Sequence, residues 1–143
     1  MVSLLDKLLK LDNKNHSSFP FIKFVPGLAW FFLVDFLMLL PGRDIPSVSW
    51  LEDIYFDKWV HTGSFMVLTF LFSWIFYKSS YNSSERLKYF IKIAIAASIW
   101  GLIIEFLQRF YIPGRSYDLL DWAADSLGSL IGLLLARKYL LSV

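Results

Sequence analysis

The chain has 143 residues, of which 57% are hydrophobic, 19% aromatic and only 18% charged, and its mean hydropathy is +0.53. This balance departs from that of soluble domains toward a membrane protein, and the length suits one compact unit. The absence of cysteine excludes a disulfide framework, a thiolate metal site and a cysteine nucleophile; a net charge of +2 without a basic, aromatic-laced stripe excludes a nucleic-acid surface.

Residues 1–18 are charged and amphipathic. Leu4, Leu5, Leu8 and Leu11 recur at helical spacing with Asp6, Lys7 and Lys10 between them. The pattern predicts a short amphipathic helix on the membrane surface, with a frayed tail as the alternative. No continuous apolar core or small-residue cleavage site marks a signal peptide, so the first spanning helix is expected to insert uncleaved. Residues 1–23 are read as a cytoplasmic N-terminal segment and 24–140 as the membrane domain.

A spanning helix needs roughly 20 mostly apolar residues. Four segments qualify: Ile22–Leu40, closed by Pro41-Gly42; Asp57–Tyr77; Tyr89–Tyr111, closed by Pro113-Gly114; and Asp118–Leu140. The expected fold is therefore all-α, a polytopic four-helix membrane bundle with a short N-terminal amphipathic helix. The connection Pro41–Phe56 is long and carries Trp50, Tyr55 and Phe56, which suits a loop lying along the interface.

Positive loops stay cytoplasmic. With both termini inside, Lys7, Lys10, Lys14, Lys23, Lys78, Arg86, Lys88, Lys92, Arg137 and Lys138 fall on the inner side. Only Arg43, Lys58, Arg109 and Arg115 fall outside. The ten-to-four division predicts a multi-pass protein with both termini in the cytoplasm.

Ionisable side chains in membrane helices are costly and are candidates for function by default. Here they fall at one predicted depth. Asp57, His61 and Ser64 share one face at the start of the second helix; Glu105 and Gln108 lie on the last turns of the third. Asp118, Asp121 and Asp125 begin a stripe that continues to Gly128 and Gly132 on the fourth, and Asp35 lies toward the outer end of the first. Each has a bland reading. Asp57 and Asp118 suit helix N-termini, Lys58 and Arg109 suit interfacial anchoring, His61 suits a structural role, and Asp35 suits pairing with an arginine. Asp121, Asp125 and Glu105 are harder to explain so, because they sit inside spanning segments. Ala124, Gly128 and Gly132 form a small-residue stripe for close helix approach, expected to press on the third helix, where Ala94, Ala97 and Gly101 offer low relief.

Together these residues resemble a known family. Asp57-Lys58-Trp59-Val60-His61 is similar to the D-K-x-x-H segment of VanZ-like membrane proteins, Glu105-Phe106-Leu107-Gln108 to their E-x-x-Q, and Gly114-Arg115 followed by Asp118, Asp121 and Asp125 to their R-x-x-D-x-x-D segment. The resemblance covers roughly residues 24–138. It implies a bacterial envelope protein with several membrane helices, seated in the cytoplasmic membrane. The family's namesake is associated with resistance to teicoplanin, a lipid-tailed glycopeptide antibiotic.

The leading expectation is an outward-facing binding site made of Asp57, Lys58, His61, Glu105, Gln108, Arg115, Asp118, Asp121 and Asp125. Its ligand would be a lipid-linked wall precursor, a lipid headgroup or a lipoglycopeptide, with Arg109 and Arg115 available to phosphate. A membrane-embedded enzyme is the alternative, with His61, Glu105, Asp121 and Asp125 as general acid–base candidates and a divalent cation as a compatible cofactor. A transporter or proton relay, whose thin four-helix wall a homodimer would thicken, and a purely structural polar cluster complete the alternatives.

Overall fold

The computed structural model describes residues 21–41 and 55–141, and the described residues are helical and contain no strand. The amphipathic helix expected within residues 1–18 and most of the expected interfacial loop lie outside the described residues. A short 3-10 turn, Phe21–Lys23, precedes helix α1 (Val25–Met38); α2 (Phe56–Trp74), α3 (Ser83–Tyr111) and α4 (Leu119–Leu140) follow.

The first helix differs from its expected span at both ends. Phe21–Lys23 coils more tightly, and Pro26, which lacks an N–H, sits in the first turn of α1, where no intrahelical bond is lost. Helix α2 ends three residues before its expected end, and Lys78 in the turn beyond takes the left-handed conformation at φ 54°. Helix α3 starts at Ser83 rather than Tyr89. Asn82 accepts from the Glu85 amide at 2.9 Å while the Glu85 carboxylate accepts from the Asn82 amide at 3.0 Å, a reciprocal cap that satisfies two otherwise orphaned donors. Arg86 and Lys88 therefore belong to α3 and not to the preceding loop. Pro113 and Gly114 turn the chain into α4; Gly114 adopts φ 77°, which its missing Cβ permits.

Short connections from α2 to α3 and from α3 to α4 make these neighbours antiparallel. The C-terminal end of α1, the N-terminal end of α2, the C-terminal end of α3 and the N-terminal end of α4 gather at one end of the bundle. At the opposite end, Lys23 Nζ donates to the Tyr77 carbonyl at 2.8 Å and Arg86 Nη1 to the Leu140 carbonyl at 3.0 Å. Basic side chains at the negative end of a helix dipole are favourable, and both bonds satisfy carbonyls at or just beyond a helix C-terminus.

The apolar core has two parts. Val34, Met38, Phe65, Leu68, Ala97 and Ile104 pack between α1, α2 and α3, flanked by Trp30, Phe31, Leu39, Phe72 and Trp100. Phe90, Ala136 and Leu140 form the second, toward the basic end. Large apolar side chains also cover the outside, among them Phe32, Phe36, Ile95, Ile99, Phe110, Leu127 and Leu134. The segments Phe21–Met38, Ser83–Tyr111 and Leu119–Leu140 are each long and apolar enough to cross a membrane. The chain is a membrane protein.

The small-residue stripe of α4 faces α2 and not α3, which corrects the expected pairing. A Cβ added at Gly128 would run into the Thr62 carbonyl, and one at Gly132 would lie 2.5 Å from the Met66 carbonyl and 2.9 Å from Thr69 Cβ. Thr62 Oγ1 donates to the Ala124 carbonyl at 3.2 Å in the same seam. Close backbone approach needs small residues, and here it clamps the middle turns of α4 on those of α2.

Candidate functional site

That clamp brings the polar residues of α2 and α4 into register. Lys58 is the hub. Its ammonium lies 2.6 Å from Asp118 Oδ2, 2.6 Å from Asp121 Oδ1 and 2.9 Å from Asp57 Oδ2. An ammonium has three protons, so the three carboxylates use them all. One turn along α2, His61 Nδ1 lies 2.9 Å from Asp125 Oδ1, and His61 Nε2 lies 3.9 Å from Asp121 Oδ1. The first distance is a hydrogen bond; the second is not. With Asp125 ionised, Nδ1 carries the donated proton, and Nε2 is left toward Asp121.

Helix α3 supplies the third wall. Glu105 is fully buried, and its Oε2 accepts from the Asp118 amide at 2.8 Å. Asp118 is itself the N-cap of α4, its Oδ1 accepting from the Leu120 amide at 2.8 Å. One aspartate thus joins three helices: it caps α4, binds Lys58 of α2 and donates its backbone to Glu105 of α3. The Lys58 ammonium beside it holds the Asp118 carboxyl below the ordinary aspartate range. Asp125 is buried, with Oδ2 turned toward Gly101; a Cβ at Gly101 would lie 2.5 Å from that oxygen. The glycine is what lets a carboxylate fit between α3 and α4.

Five carboxyl groups therefore gather around one ammonium and one imidazole at a single end of the bundle. Their accessibility is graded. Asp57 and Asp118 are well exposed, Asp121 and Lys58 partly so, His61 slightly, and Asp125 and Glu105 not at all. Buried Glu105 Oε1 and Asp125 Oδ2 have no hydrogen-bond partner among the described residues. No group of three or more His, Asp or Glu side chains among the described residues is arranged to hold a metal ion.

The other sequence candidates lie apart from this cluster. Gln108 Nε2 and Arg115 Nη2 both donate to the Met38 carbonyl, at 2.8 and 3.1 Å, and so fasten the last turn of α1 to α3 and to the turn after it. Asp35 pairs with no arginine among the described residues; it accepts from Trp100 Nε1 at 2.9 Å. Arg109 is exposed. Ser64 contributes its backbone carbonyl to Trp30 Nε1 at 2.9 Å. Thr62 was not singled out from sequence, yet it abuts both Ala124 and Gly128; its place directly after His61 on a helix start was the available signal.

Comparison with known proteins agrees with the motif reading. The family model described as VanZ/LLP1 matches residues 12–142, a range that takes in all four helices. No curated protein and no solved structure matches the chain. Of the residues that carry the motif resemblance, Asp57, Lys58, His61, Glu105, Asp118 and Asp121 meet in this cluster, whereas Gln108 and Arg115 turn to the Met38 carbonyl. The chain belongs to the VanZ/LLP1 family.

Proposed function

We propose that the chain is a four-span protein of the bacterial cytoplasmic membrane, with both termini inside, whose acidic outer end binds the hydroxyl- and amine-bearing head of an envelope component. The head belongs to a lipid-linked wall precursor or to a lipoglycopeptide of the teicoplanin type. The observation that carries this reading is the excess of carboxylates over cations around Lys58, with Asp57 and Asp118 still open to solvent. Carboxylates offer several lone-pair sites each, so Asp57, Asp118 and Asp121 retain acceptors beyond those given to Lys58. The same excess disfavours a phosphate, and Arg115 is directed at Met38, so anion capture is the weaker use of this end. Helix α2 is not among the three segments that are by themselves long and apolar enough to cross a membrane, but it lies antiparallel to α3 and is clamped along α4, which supports its crossing with them. The ten-to-four lysine and arginine division supports the orientation.

The test is binding of teicoplanin, and separately of a lipid-linked wall precursor, to the purified protein in nanodiscs. Asp121→Asn, and Asp57→Asn combined with Asp118→Asn, should weaken binding of at least one probe about tenfold while the amount of folded protein stays constant. Affinities unchanged for both probes in all variants would remove the reading.

A second reading, a membrane-embedded hydrolase acting on a lipid-linked envelope substrate, is favoured by one observation. A buried carboxylate on Nδ1 with Nε2 left free is the arrangement that orients an imidazole as a general base. Release of product from a lipid-linked precursor by the wild type but not by His61→Gln would establish it. No turnover by folded wild-type protein would count against it.

A further inference from the structure

A groove of about 290 Å³ opens on the side of the bundle, away from the polar cluster. It is lined by Phe31 of α1, Leu68 and Phe72 of α2, and Ile93, Ala96 and Trp100 of α3, with Thr69 and Ala97 completing the lining. Leu68, Thr69 and Ala97 are buried, whereas Ala96 is exposed on the rim. Its walls are fixed by contacts already built into the fold. The Phe31 and Trp100 rings lie 5.3 Å apart, Trp100 is tethered to Asp35, and Phe72 packs against Gly27, where an added Cβ would sit 3.4 Å from the ring.

The chemistry of the lining selects the occupant. Thr69 supplies the only hydroxyl, so a water there would find far fewer than its usual partners, and a polar ligand would lose its hydrogen bonds. A helix is about 10–12 Å across and needs more room than this. A flexible hydrocarbon chain meets both limits. Depth points the same way. Ile93 to Trp100 lie five to twelve residues before Glu105 on α3, or roughly 8–18 Å along the helix axis. Half the hydrocarbon core of a bilayer is about 15 Å. A lipid whose head rests at the acidic end carries its tail at this level.

We infer that the groove is an acyl-chain slot, and that the ligand of the acidic end is an amphiphile that seats one hydrocarbon chain between α1, α2 and α3. The inference rests on the proposed head-binding reading for the identity of the ligand. The slot itself is measured separately.

The experiment uses the full chain in nanodiscs containing a phosphatidylcholine with a photoactivatable diazirine at mid-chain, followed by mapping of the labelled residues by mass spectrometry. The expected result is severalfold enrichment of label on Phe31, Phe72, Ile93 and Trp100 over the exposed Phe32, Ile95 and Ile99 outside the groove. Ala96→Trp, which fills the groove from its rim, should abolish the enrichment, and Ile99→Trp should not. Even labelling of all these apolar surfaces, or enrichment that survives Ala96→Trp, overturns the slot. If Ala96→Trp does not fold, the wild-type map alone decides. Wild-type binding of the head probes separates the two readings: enrichment in the groove without any head binding sinks only the head site, and even labelling beside intact head binding sinks only the slot.

Discussion

His61 Nδ1 and Asp125 Oδ1 stand 2.9 Å apart and join α2 to α4 through side chains that are almost wholly removed from solvent. His61→Ala would leave Asp125 without its partner, since the other carboxylate oxygen has none among the described residues. Losing a buried hydrogen-bond partner costs about 1–3 kcal/mol, more for a charged group. The variant should unfold several degrees below wild type in detergent micelles. Asp125→Asn, which keeps an acceptor for Nδ1, should unfold closer to wild type.

Acidification should weaken the end of the bundle that Lys58 organises. The Asp118 carboxyl is held below its ordinary value of 3.8 by the Lys58 ammonium. The unfolded chain therefore takes up the proton first, and stability falls as pH drops. This contribution is complete above the ordinary value and disappears as pH passes down through the depressed one. Asp118→Asn retains an N-cap acceptor for the Leu120 amide but lacks the titrating group. Its unfolding midpoint should change less than that of wild type over the acidic limb. Parallel curves for the two proteins would contradict the assignment.

The seam between α2 and α4 can be tested with two alanines. Gly128→Ala drives a methyl group into the Thr62 backbone, which cannot yield as a flexible side chain would. Overpacking of this kind costs about 1–3 kcal/mol. Gly63→Ala meets nothing within 4 Å and improves helix propensity, so it should be neutral or stabilising. Thermal unfolding of both variants against wild type checks the contrast.

At the far end, Asn82→Ala removes the reciprocal cap of α3. The expected loss is about 1 kcal/mol. Because Asn82 is separated from the acidic cluster by the length of α3, ligand affinity at that cluster should not change. A large loss of affinity at constant fold would show the two ends to be coupled.

The helical cores of the bundle were readable because apolar runs are long and proline-glycine pairs close two of them. The start of α3 was not, since Ser83 to Lys88 are polar apart from Leu87 and read as loop; only the Asn82–Glu85 cap shows why they are helical. The acidic cluster was readable as a set of residues at one depth. Its wiring was not. Sequence spacing puts Asp118, Asp121 and Asp125 near one helix start, but cannot tell that Lys58 binds two of them while His61 takes the third. Gln108 and Arg115 shared the depth and the motif, yet both turn to the Met38 carbonyl, a backbone acceptor that no side-chain pattern reveals. Gly128 and Gly132 announced a close contact without naming the partner helix.

Lys58 has one more consequence. It is a cation already seated among carboxylates and leashed to them by its own four-carbon stem. A free amine arriving from outside competes with a tethered rival, and short tethers give effective concentrations of about the millimolar range. Positive charge alone is therefore a poor credential at this end of the protein. Whatever gains admission must do so through its hydroxyls, its shape or its tail.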